Sequence, residues 1–102
     1  MSGFPGVEEG VSYGTPGWKV RKKFLARLHQ DEPALVLRFD LMARDALMEA
    51  DPKTFYITDH YANHPAVLIH MDRAKAAMLR DLVEETWRTL ASKKQLAEFD
   101  EA

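Results

Sequence analysis

The sequence predicts an α+β domain: an antiparallel sheet with helices packed on one face, in two layers. Three observations point there. Between Trp18 and Phe39 the chain alternates in short two-faced runs separated by turn residues, the mark of strands. Later stretches carry helical spacing, over Leu41 to Ala50 and over Arg73 to about Ser92, with the strand-like PAVLIHM between them. Strands come first and helices late, which favours an antiparallel sheet over the regular strand–helix alternation of a parallel one.

The 102 residues, 46% apolar and 29% charged, predict one domain over residues 1–102 with a modest core. No apolar run approaches the roughly 20 residues that span a bilayer. The opening MSGFPGVEEG lacks a basic region followed by an apolar one. A soluble, cytoplasmic protein with no membrane partner is the expectation. With no cysteine, disulfides, thiolate nucleophiles and cysteine-ligated metal centres are excluded.

In chain order, the glycines at 3, 6, 10, 14 and 17 and the prolines at 5 and 16 exclude an early helix. A loop leading to a short strand at Val11 to Tyr13, then a turn over Gly14 to Gly17, accounts for them. Their spacing does not match the phosphate-binding GxGxxG pattern. A basic hairpin follows, then a polar turn at Gln30 to Pro33 and a strand at Ala34 to Phe39. Asp40 is placed to cap the helix over Leu41 to Ala50, whose apolar stripe would be Leu41, Met42, Leu47 and Met48, with Asp51-Pro52 as the stop. Phe55 to Thr58 reads as a short strand, Asp59 to Pro65 as a loop, and Pro65 to Met71 as a strand. Asp72 would cap the long helix, in which Ala76, Leu79, Leu82, Val83, Thr86, Trp87 and Leu90 repeat on one face. Gln95 to Phe99 would add a further turn or two.

The electrostatic anomaly lies in GWKVRKKFLARLH, Gly17 to His29. Lys19, Arg21, Lys22, Lys23 and Arg27 are uninterrupted by any acid, in a chain of formal net charge -2. Strict alternation would send Trp18, Val20, Phe24, Ala26 and Leu28 to the helices, with Leu35, Leu37, Phe39, Val67, Ile69 and Met71. The other face would then hold Lys19, Arg21, Leu25, Arg27, His29, Val36, Arg38, Leu68 and His70. On it Leu25, Val36 and Leu68 would form an exposed apolar stripe bordered by Arg and His, which suits a binding surface. The candidate nucleic-acid-binding residues are Lys19, Arg21, Lys22, Lys23, Arg27 and Arg38, which would hold phosphates without reading sequence. Because the domain as a whole is not basic, such binding would be local, weak and salt-dependent. The rival is a protein partner on the apolar stripe, and the plain structural reading is strand edges protected by lysine.

Other chemistry is poorly supported. His60 and His64 stand four apart beside Asp59, but His64-Pro65 disfavours a helix and no glutamate follows the first histidine, so no metal and no cofactor are expected. Ser2, Ser12 and Ser92 lie in no nucleophile-elbow pattern, and Glu8 and Glu9 have no identifiable partner. No small-molecule substrate and no catalytic constellation emerge.

The run PGVEEGVSYGTPGWKVRKKFLARL, then DPKTFYIT, then His64-Pro65-Ala66-Val67 and TWRTLASKKQLAEF, resembles the MmcQ/YjbR-like family. These are small bacterial proteins described as having a double-wing, DNA-binding fold. The likeness runs collinearly from Pro5 to Phe99. It implies a two-layer α+β domain and a DNA-binding role. Members of that family usually begin with a helix ahead of the PGVEE segment, whereas here only MSGF precedes it. Without that helix, part of the sheet or of the Trp87 helix would be uncovered, which predicts self-association, with a homodimer as the simplest form.

Overall fold

Strands β1 (Val7–Ser12), β2 (Thr15–Val20), β3 (Lys23–Leu28) and β4 (Ala34–Arg38) follow one another before the first helix, α1 (Leu41–Ala50). The computed structural model describes residues 4–12, 14–29 and 33–101. Beyond α1 come β5 (Phe55–Tyr56), a 3-10 turn at Asp59–Tyr61, β6 (Ala66–His70), α2 (Ala76–Leu90) and α3 (Lys93–Glu101). All six strands join one antiparallel sheet in the order β1-β2-β3-β4-β6-β5. The α+β class is therefore as the sequence predicts.

β1 begins earlier than its glycines suggest. Every residue from Val7 to Ser12 is matched by one of β2, and Gly10 sits opposite Gly17. Pairing with a neighbour supplies the order that glycine alone does not. The expected ends at Tyr13 and over residues 30–32 lie outside the described residues.

The larger departure is a β-bulge. Trp18 pairs with Ala26 but Lys19 pairs with Phe24, so Leu25 is an extra residue in β3. Leu25 and Ala26 consequently both enter the helix-side core, and Phe24 moves to the opposite face. Strict alternation assigned Phe24 and Leu25 the other way round.

The helix-side core is built on Val20, Leu25, Leu37, Val67, Ile69 and Trp87, all fully buried. Trp87 forms a triangle of rings with Phe4 (centroids 5.4 Å) and Phe99 (5.0 Å), which stack on each other at 5.4 Å, and its Nε1 donates to the Pro5 carbonyl at 2.9 Å. Its side chain is 0% exposed. At Trp87 itself the helix is therefore covered, by Phe4 and Phe99. Thr86, also buried, donates its hydroxyl to the Arg38 carbonyl at 3.0 Å, tying α2 to β4.

Helix ends follow local chemistry in part. Asp40 caps α1, its Oδ2 accepting from the Met42 and Ala43 amides at 3.1 Å. Half of the Leu/Met stripe expected on α1 is borne out: Leu47 and Met48 pack against the core beside buried Arg44, whereas Met42 is 83% and Leu41 39% exposed. α2 starts at Ala76, later than Arg73, because the Arg73 and Ala74 amides both bond the His70 carbonyl at 3.1 Å in a turn closing β6. Asp72 therefore does not cap it. Ser92 and Gln95 form a reciprocal capping box at the start of α3: the Ser92 amide donates to Gln95 Oε1 (2.9 Å), and the Gln95 amide to Ser92 Oγ (3.2 Å). Arg88 joins α2 to α3, donating to Glu84 (3.2 Å) and Asp100 (2.8 Å). Its hydrogen bond holds the Asp100 carboxyl below the usual carboxylate range. This small surface contribution is present at neutral pH and fades as pH falls through that lowered pKa.

Gly6 links the N-terminal segment to that capping box. It has φ +75°, and a Cβ built there would run into the Gln95 side-chain amide. Gly6→Ala should therefore cost about 2 kcal/mol, combining left-handed strain with displacement of a cap. Urea unfolding checks this. A loss under about 0.5 kcal/mol would mean that Gln95 swings aside without cost.

Candidate nucleic-acid interface

The β2–β3 hairpin closes through a two-residue turn, since Val20 pairs with Lys23 and only Arg21 and Lys22 lie between. Both turn residues have positive φ, 52° and 67°. That is the type I′ geometry, whose twist matches a hairpin and whose preferred residues are Asn-Gly, not two long basic side chains. Lys19, Arg21, Lys22 and Lys23 are all exposed. None of the four is in an ion pair with an acid among the described residues.

Arg27 and Arg38 are placed differently. Arg27 is half-buried: Nη2 donates to the Tyr61 hydroxyl, Nη1 lies 3.4 Å from the Leu28 carbonyl, and the guanidinium sits 5.9 Å from the Tyr61 ring centroid. Arg38, also half-buried, reaches the Phe24 carbonyl at 3.4 Å. Both are bonded into the sheet, Arg27 also to the Tyr61 that covers one face of it. The six candidate residues thus divide into a free-standing cationic tip and a pair bound into the fold.

That face is not an open apolar stripe. Val36 and Leu68 are 0% exposed, covered by Tyr61 and by half-buried Phe24, Tyr56 and Ile57 in a second small core. Leu25 belongs to the opposite side. The cover is the 3-10 turn, and what holds the turn is Arg44. From α1 its Nη1 reaches the carbonyls of Tyr61 (3.0 Å), His64 (2.9 Å) and Ala66 (3.0 Å), while Nη2 reaches that of Ala62 (3.0 Å). A buried cation without a close carboxylate is tolerable here because converging carbonyl dipoles at a helical C-terminus supply the compensating negative charge. Its nearest acid, the exposed Asp45, is 4.0 Å from Nε, and Nε has no hydrogen-bond partner. Sequence pattern did not single out Arg44. Its one signal is a lone arginine on the face of α1 that also carries Leu47 and Met48.

Folding of the Asp59–Pro65 stretch brings the rings of His60 and His64 to 5.6 Å, with Tyr61 edge-on to His60 at 4.8 Å. Among the described residues no group of three metal-ligating side chains forms. No helix among them is long and apolar enough to cross a membrane.

A six-stranded antiparallel sheet with an exposed basic hairpin tip and a tyrosine-covered face defines a small α+β domain. The chain belongs to the YjbR family, whose model matches residues 2–89. Comparison with curated proteins and with solved structures returned no match.

Proposed function

We propose that this protein is a non-catalytic DNA-binding module, holding backbone phosphates on the tip of the β2–β3 hairpin through Lys19, Arg21, Lys22 and Lys23. The observation that carries this reading is the turn. Two non-glycine residues in the left-handed region cost about 1 kcal/mol each, and an outlier of that kind is an argument for a functional use of those side chains. Arginine and lysine bring charge to a place where Asn-Gly would bring stability. With so few contacts on a chain of net charge -2, affinity is weak and falls steeply with salt.

The test is the double substitution Arg21→Asn with Lys22→Gly, compared with wild type by fluorescence anisotropy on labelled DNA across a salt series. The variant should unfold about 1 kcal/mol later in urea, because the turn is relieved. It should nonetheless bind more weakly at every sequence, with the slope of log K against log salt reduced by about 2. Unchanged affinity, or no wild-type binding at low salt, would refute the reading.

A further inference from the structure

Beside the tip, the sheet carries a groove that the phosphate reading leaves unused. It encloses about 150 Å³, and its lining includes Glu8, Gly10, Gly17, Lys19 and Phe24 together with Glu9, Val11, Trp18 and Ala26, which alternate to the other face of the sheet. Register explains its shape. Glu8 and Gly10 lie opposite Lys19 and Gly17, and Lys19 lies opposite Phe24, so these five share the face of the sheet away from α2. At the Gly10–Gly17 pair that face has no side chains, and bare backbone forms a floor two residues along the strands from the Glu8–Lys19 pair, with Arg27 the β3 residue opposite Gly17. The bulge at Leu25 is what turns Phe24, half-buried, toward this side.

From these observations we infer that the groove is a stacking slot for one nucleobase of a single-stranded nucleic acid. This rests on the phosphate-binding reading of the tip and deepens it by naming the form of the partner. Phe24 offers an aromatic ring to a base, and every base has a face that can stack. Glu8, exposed opposite Lys19, repels a phosphate but accepts a hydrogen bond from the N–H edge of a base. Charge therefore sorts the two halves of a nucleotide: phosphate to Lys19, Arg21, Lys22 and Lys23, base to the glycine floor. A duplex keeps its bases stacked inward and can use only the tip.

Gly10 supplies a clean test. A Cβ added there meets nothing within 4 Å, and Gly10 is not among the residues of positive φ. Gly10→Val therefore fills the groove while suiting a strand and changing no charge. Anisotropy would compare three labelled probes of equal phosphate number at low salt: an oligothymidine strand, the same backbone made abasic, and a duplex. Oligothymidine should bind wild type about tenfold more tightly than the abasic strand. In Gly10→Val that advantage should vanish, with the unfolding temperature kept at or above that of wild type. Phe24→Leu, which keeps the apolar packing and removes the ring, should act in the same direction.

Equal binding of oligothymidine and abasic strands by wild type overturns the slot and leaves the tip reading standing. So does a Gly10→Val variant that still prefers the strand with bases. Failure of every probe to bind at low salt overturns both.

Discussion

Replacing Arg44 with methionine should destabilise the fold by about 3 kcal/mol, although α1 would lose neither helix propensity nor apolar volume. Arg44 is 4% exposed and donates to the carbonyls of Tyr61, Ala62, His64 and Ala66. Each hydrogen bond from a charged donor is worth about 1.5 to 3 kcal/mol, and a carbonyl stranded without its partner costs about 1 to 3 kcal/mol. Loss of the buried charge offsets part of this, since desolvating a guanidinium is itself unfavourable. The Tyr61 and His64 carbonyls keep the backbone amides of His64 and Ala66 as donors, so the lost charged hydrogen bonds dominate, because methionine can replace none of them. For a chain of this size a loss of that order lowers Tm by more than about 10 °C. Lysine should rescue only part, because a point charge cannot span acceptors arranged for a planar fork. The release should also be local: amides of residues 59–64 should exchange faster than those of β4, since Arg44 pins the turn that carries Tyr61. A destabilisation under about 1 kcal/mol would show that water replaces the guanidinium, and that the turn is held by Tyr61 packing alone.

Trp87→Ala should cost about 4 kcal/mol and detach the N-terminal segment. The indole is fully buried, touches Phe4 and Phe99, and donates to the Pro5 carbonyl. Truncating such a ring loses its transfer free energy and leaves a cavity, together about 3 to 5 kcal/mol. Trp87→Phe should retain most of the packing and lose chiefly the hydrogen bond and part of the volume, at about 1 to 2 kcal/mol. Fluorescence separates the two tryptophans. Trp18 is half-buried, so Trp87→Phe leaves a redder emitter, and the difference from wild type isolates the shielded Trp87. If alanine at 87 costs less than about 1.5 kcal/mol, Phe4 and Phe99 collapse into the space and the aromatic cluster does not depend on the indole.

Much of this architecture was legible in residue order. The two-faced runs at Trp18 to Leu28 and Ala34 to Phe39, the Asp40 cap, the stop at Asp51 and the α2 stripe through Leu82, Val83, Thr86, Trp87 and Leu90 all appear in the structure. Each depends on interactions within one turn or one strand, and short-range chemistry is what pattern reports. The misreadings were of another kind. Phe24 and Leu25 changed places because a bulge depends on how β2 and β3 meet, which neither strand encodes alone. Met42 looked like core and is exposed, while Arg44, which the pattern did not single out, is buried. Periodicity shows that a helix has faces, but not which neighbour arrives to fill one. Val36 and Leu68 looked open for the same reason, since their cover comes from Tyr61, Phe24, Tyr56 and Ile57, brought over them by folding.

The sequence by itself determined the α+β class, the likeness to the YjbR family and the run of Lys19, Arg21, Lys22, Lys23 and Arg27 within an acidic chain. Composition and alternation carry those features, and neither needs a partner residue. Only the tertiary structure decided that Arg21 and Lys22 occupy a left-handed turn, that Arg27 is bonded to Tyr61, and that Phe24, Gly10 and Gly17 line one groove. Those outcomes depend on strand register and on carbonyls brought together from separate segments. Such long-range pairings are settled by the packing of the whole chain.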